Sequence, residues 1–344
     1  MNYTKLLLLG FAALLSCATA DTFKAGKRIP LPGDGSWDYL TVDAAARRLY
    51  VTHGTRVHVI DLDQKSVIGE IAPTPGVHGV ALAPDLGRGF TSNGADATVT
   101  VFDLKTLATL QTLKVAGTKP DSILYDSFTQ RVFTFNGNSD NASAFDAVTG
   151  EALRTIELGG GPEFAVSDGA GNCYVNLEEA AVVVRIDPKN LAVTARWPLA
   201  PGAAATALAL DKANHRLFSG CRSKTLMVLN SDTGAIVANL PIGGGVDAIA
   251  LDLEHKRAYV GCGQGVVTVV SWTDADHYKI EATIPTQVGA KTLAFDPKKE
   301  RQIRKRFGKL DQPRPRLARC PRPRHRFCPA PSACWSSKPK RNKS

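Results

Sequence analysis

A segment of about 42 residues recurs along most of this chain, and that recurrence limits the fold more than any single motif does. Each copy holds a short apolar strand, a polar turn that usually ends in Arg, an aromatic strand, a small-residue loop and a β-branched strand. Copies begin at Asp38, His78, Asp121, Glu163, Thr206 and Asp247, and a seventh begins at Lys291. The third strands end at Asp61, Asp103, Asp146, Asp187, Asn230 and Ser271, at intervals of 42, 43, 41, 43 and 41 residues. Enrichment in Val, Ile, Tyr and Phe with two-residue alternation marks β-strand. Turns such as Asp232-Thr233-Gly234 punctuate it. One such unit cannot bury its apolar faces alone, whereas a stack of them can. Four short strands per repeat is the signature of a propeller blade. The expectation is an all-β protein, a seven-bladed β-propeller in one domain, although 344 residues alone would suggest two domains.

Ring closure is where the pattern falters. Residues 23–31 match the fourth strands of other copies and are expected to complete blade seven. The C-terminal segment should supply that blade's first three strands, yet the pattern stops near Arg301, so the blade is truncated. The expected organisation is a signal peptide over 1–20, a propeller over 21–301 and a basic tail over 302–344. From Lys298 onward the chain has ten Arg and seven Pro with no strand periodicity. That composition reads as a disordered basic tail or, in preference, as GC-rich DNA translated out of frame. One permitted codon choice for Phe327 to Lys338, read two nucleotides later, encodes Leu-Pro-Gly-Thr-Phe-Arg-Val-Leu-Val-Val-Glu. Its middle is the missing third strand in pattern and place.

The formal charge of +10 suggests nucleic acid until it is divided by position. Residues 298–344 hold 17 Lys and Arg against two acids, while residues 1–297 hold 25 against 30. The body is mildly acidic, which argues against a nucleic-acid partner. Lys5, the apolar run from Leu6 to Leu15 and the small-residue site Ala18-Thr19-Ala20 form a secretory signal. The expected location is periplasmic or secreted. Leu14-Leu15-Ser16-Cys17 also permits a lipid anchor at Cys17. No apolar run is long enough for a transmembrane segment. Seven scattered cysteines form no disulfide framework.

The repeat, with Leu49-Tyr50-Val51-Thr52 close to a name-giving tetrapeptide, resembles the YVTN-type (YncE-like) propellers of exported bacterial proteins, from about Phe23 to Arg301. The resemblance implies the fold but no single activity, since propellers serve as scaffolds and as enzymes. Lactonases and the propeller subunits of quinone-dependent dehydrogenases share the fold, and nucleic-acid binding has been proposed for relatives. Related chains tend to carry a Cys-Glu-Glu-Pro-Thr-Gly-like stretch where this one has Gly202 to Ala207. The implied partner of Cys221 is therefore missing, and Cys221 reads as a free thiol.

Aligning the copies makes positions comparable. Asp38, His78, Asp121, Glu163, Thr206, Asp247 and Lys291 each open an innermost strand and should ring one mouth of the central channel. The second strands return to that face at His53, Asn93, Asn136, Asn176, Cys221 and Cys262. Four acids and a His converging on a channel could hold a divalent cation or a cationic ligand. Structural use of the same residues at the turns is an equal alternative. His53 and His78 are the candidate metal ligands, because imidazole titrates near neutrality and binds metals. His58 reads as packing, and Trp37 as a core residue or a wall of the mouth. No HExxH, no Cys/His cluster and no G-x-S-x-G occurs, so catalysis is not expected. The reading is an exported monomer that binds a small-molecule ligand or another exported protein at the channel mouth. The alternatives are a lactonase-like or quinone-dehydrogenase-like enzyme and, last, a nucleic-acid binder.

Overall fold

The computed structural model of the chain describes residues 26–298 and 301–304. Its strands, numbered β1–β26 in chain order, form six four-stranded antiparallel sheets and one two-stranded sheet among the described residues. The innermost strands are β1 (Trp37–Asp43), β5 (Val77–Ala83), β9 (Pro120–Asp126), β13 (Pro162–Ser167), β17 (Ala205–Asp211) and β21 (Val246–Asp252). Each packs beside the next, and β25 (Leu293–Asp296) sits between β21 and β1. A β-propeller results, with a channel down its axis.

The seven-bladed expectation is corrected to six complete blades. The seventh repeat forms only β25 paired with β26 (Arg301–Arg304) among the described residues. The segment expected to add its fourth strand has no strand over residues 26–36. Pro30 and Pro32 remove ladder donors there, and Gly33 and Gly35 adopt φ of +100° and +128°. Ile29 and Leu31 instead pack by side chain against Leu49, Val51, Ile60 and Ala294. Residues 1–25, 299–300 and 305–344 lie outside the described residues; they carry the expected signal peptide, lipid-anchor Cys17 and all but the first three residues of the expected basic tail, those three falling in β26.

One aromatic position repeats in the second strand of every blade: Tyr50, Phe90, Phe133, Tyr174, Phe218 and Tyr259. All six are buried. Each contributes roughly 1.5–3 kcal/mol of apolar burial, which makes this position the main anchor between neighbouring sheets. In four blades the Arg that closes the preceding turn reaches outward to the next blade. Arg48 donates to the Leu104 carbonyl, Arg88 to Ala147 and Val148, and Arg131 to Pro188 and Lys189. Arg216 bonds the Ala275 carbonyl and the Asp276 carboxylate. At the closure, Arg47 grips Asp296 of β25 through two bonds of 2.6 and 2.8 Å.

Candidate ligand site at the channel mouth

Every innermost strand slips register one or two residues after it starts. The shift falls between Trp37 and Leu40 in β1, Val77 and Val80 in β5, and Pro162 and Ala165 in β13. It recurs at Asp121 and Ser122 in β9, at Thr206 in β17 and at Asp247 in β21. These β-bulges bend the strand and re-aim the side chain they carry. The ring residues Asp38, His78, Asp121, Glu163, Thr206 and Asp247 all sit in them. Side chains of the adjacent strand satisfy the freed backbone: Tyr39 N–H donates to Thr52 Oγ1 at 2.8 Å, and Gly79 N–H to Ser92 Oγ at 2.9 Å.

The six ring residues line a cavity of about 960 Å³, together with Lys291, Lys119 and Arg222. Within it Tyr39 and Phe164, from opposite sides of the ring, stack with centroids 4.9 Å apart. Burial, then the field of Asp121, Asp38, Glu163 and Asp247, pushes the Tyr39 phenol far up, so it remains a proton donor.

His78 is the hub of the charged groups. Its Nδ1 lies 2.6 Å from Asp38 Oδ2 and 3.5 Å from Asp121 Oδ1. Burial alone would lower its pKa, but the Asp38 hydrogen bond and the Asp121 and Asp38 charges outweigh that and raise it. Lys119 Nζ holds the other Asp121 oxygen at 3.3 Å. Burial drives the Asp121 carboxyl up, opposed by His78. Across the mouth, Lys291 Nζ meets Asp247 Oδ2 at 2.9 Å. Glu163 is pushed up to about 8 by burial, by Asp121 and by a hydrogen bond with Glu178, and Arg222 pairs with Glu178.

Sequence reasoning placed Asp38, His78, Asp121, Glu163 and Asp247 on one mouth, and the structure puts them on one cavity. The second-strand residues lie elsewhere. Asn93 is fully buried and donates to Thr98 and Thr100 while accepting from Thr91. Asn136 makes the same clamp with Asn141, Ser143 and Thr134. Asn176 donates to the Ala207 carbonyl and accepts from Ser219. His53 is buried and stacked on Trp37, ring centroids 3.5 Å apart and planes nearly parallel, with Nδ1 3.1 Å from His58 Nε2. It therefore stands with His58 and not among the residues that line the cavity with His78. Cys173, Cys221 and Cys262 are free and buried. Lys119, Arg222, Glu178 and Tyr39 were missed. Lys119 was findable, since it stands two residues before a ring position. Arg222 and Glu178 sit in loops that the repeat alignment does not rank.

No known protein family matches the chain, and no curated protein does. Solved structures share its fold. A chain of hydrazine synthase from Kuenenia stuttgartiensis is 16% identical with a TM-score of 0.68, the match covering 83% of this chain and 99% of that one. U3-55K is 9% identical with a TM-score of 0.70, covering 82% and 94%. The RRP9 WD40 repeats are 9% identical with a TM-score of 0.70, covering 81% and 91%. At these identities the likeness is one of fold, a WD40-like β-propeller. No helix among the described residues is long and apolar enough to cross a membrane.

Proposed function

We propose that the protein is an exported, YVTN-type propeller that binds a small polar ligand in the channel mouth. The observation that carries this reading is the ring of six bulge side chains that lines one end of a channel of about 960 Å³. A ligand site needs concavity and a few converging polar groups, and this one has both. Export rests on the signal-like segment over 1–20.

The test is a thermal-shift screen of small amines, sugars and divalent cations against the wild type, Asp121→Asn and Asp247→Asn. A compound that stabilises the wild type and neither variant supports the mouth. Equal shifts in all three proteins place binding elsewhere and sink the reading.

Catalysis is the second reading, favoured by one observation. Asp38 orients His78 through Nδ1, and no described residue bonds the His78 Nε2. An imidazole so held is the arrangement of a general base. Lactone hydrolysis abolished by His78→Ala would establish it.

A further inference from the structure

We infer that Asp38, His78 and Asp121 form a binding site for a divalent transition-metal ion. The inference rests on the reading of the mouth as a ligand site and names the ligand. The donor atoms come from three successive bulges, and all lie within 4.8 Å of one another. Ligands on a metal with bonds of about 2.1 Å stand about 3 Å apart. The Nδ1 to Asp121 separation of 3.5 Å already suits that. The 2.6 Å contact of Nδ1 with Asp38 must open by about 0.5 Å to reach that spacing, a small side-chain rotation. In exchange the ion takes the place of the bridging proton, which leaves to solvent.

Donor geometry singles out this corner of the mouth. Lys291 neutralises Asp247, and Glu163 holds a proton shared with Glu178. Lys119 occupies only the far oxygen of Asp121. That leaves Asp38 Oδ2 and Asp121 Oδ1, both turned on one imidazole nitrogen. Lys119 also does for Asp121 what hydrogen-bonded partners do for metal-bound carboxylates: it fixes one oxygen and presents the other. Three protein donors leave open positions toward the cavity, where an oxygen or nitrogen of a second ligand can bind.

Two features set the class of ion. One imidazole with two carboxylates suits Mn²⁺, Fe²⁺, Co²⁺ or Zn²⁺, whereas Mg²⁺ and Ca²⁺ prefer all-oxygen sets. Room for the imidazole depends on Gly94. A methyl group there would stand 2.8 Å from Cδ2 and Nε2 of His78. Gly94 is thus a positioning residue, and Gly94→Ala should tilt the ring away from Asp38 and Asp121.

Mn²⁺ is the probe of choice, because Cys320, Cys328, Cys334 and His325 of the C-terminal tail would compete for Zn²⁺. The experiment titrates MnCl₂ into chelator-treated full-length protein and follows free and bound Mn²⁺ by electron paramagnetic resonance. The expected result is one bound Mn²⁺ whose electron spin-echo modulation shows a directly coordinated nitrogen. Asp121→Asn, nearly isosteric, should weaken binding at least tenfold, and Gly94→Ala about tenfold. His78→Gln should remove the nitrogen signal, which a merely structural role would not do. No Mn²⁺ binding by the wild type overturns the proposal. So does binding that is unchanged in Asp121→Asn and keeps its nitrogen signal in His78→Gln. Organic ligands that still shift the melting temperature through the mouth in either case would leave the ligand-site reading standing without the metal.

Discussion

The Arg47–Asp296 pair is the point at which the ring can be opened by chemistry alone. Arg47 sits in the β1–β2 turn, and Asp296 ends β25, so the bond joins the first blade to the last described sheet. The geometry is bidentate, and the side chains keep 15% and 3% of their exposure. Removing one partner of a buried pair typically costs about 3–5 kcal/mol, because the remaining charge stays desolvated. Arg47 also bonds Asp63, and the Lys298 amide also donates to Asp296, so partial compensation argues for the lower end. Arg47→Gln is the clean variant, since it keeps whatever cost the residue's φ of +59° carries. We expect a loss of about 3 kcal/mol, or about 6 °C in melting temperature at this size. Asp296→Asn should cost a similar amount, and the double variant about 2 kcal/mol less than their sum. Asp63, half exposed, serves as control: Asp63→Asn should cost under about 1 kcal/mol. Denaturant unfolding of the four variants completes the cycle. A coupling below about 0.5 kcal/mol would refute the claim that this pair closes the ring.

Other outcomes follow from single residues. Gly89→Ala would push a methyl to within 2.1 Å of the fully buried Phe102 ring, so unfolding should show a loss of about 1–3 kcal/mol. Glu163, raised from 4.5 to about 8, binds its proton more tightly folded than unfolded. Its contribution is whole below pH 4.5 and is lost as pH rises through about 8, so stability should fall over that window. Glu163→Gln should flatten that part of a melting-temperature profile, and an unchanged slope counts against the assignment. Burial pushes the Cys221 and Cys262 thiols up to about 11 and the Cys173 thiol well up, leaving little thiolate at neutral pH. Peptide mapping after iodoacetamide should find all three unlabelled in native protein and labelled in guanidinium; native labelling would contradict the packing.

Strand identity and order were legible because the period-two pattern and the turn residues repeat six times over. The blade count was not. The seventh repeat forms only β25 and β26 among the described residues, and residues 26–31 add no strand to them: apolar alternation there is offset by Pro30, whose missing N–H the pattern does not register. For the site, alignment of repeats found the ring because a bulge at one fixed place aims each residue. It gave no means of telling that Asn93 and Asn136 turn into their own blades and Asn176 into the next one. Their neighbours Thr98, Thr100, Ser143 and Ser219 supply matching donors and acceptors, yet those look like ordinary strand residues in the sequence. The pairing of Arg222 with Glu178 and of Lys291 with Asp247 was equally hidden, because it joins different repeats.

Two positions of the repeat, compared within this one chain, separate the fold's needs from the site's. The buried aromatic reads Tyr, Phe, Phe, Tyr, Phe, Tyr across the six blades, because each must fill the same gap between sheets. The bulge position reads Asp, His, Asp, Glu, Thr, Asp. At the first two bulges, Thr52 and Ser92 satisfy the strained backbone from the neighbouring strand, which releases the bulge side chain from fold duty there. Such a side chain can vary without unfolding its blade. Variation at a fixed geometry, with Asp38, His78 and Asp121 in consecutive bulges, is what a ring scaffold needs to build a site on one side of its axis. The asymmetry of that mouth, with an imidazole between two carboxylates on one arc and none on the other, is therefore not something the propeller itself requires.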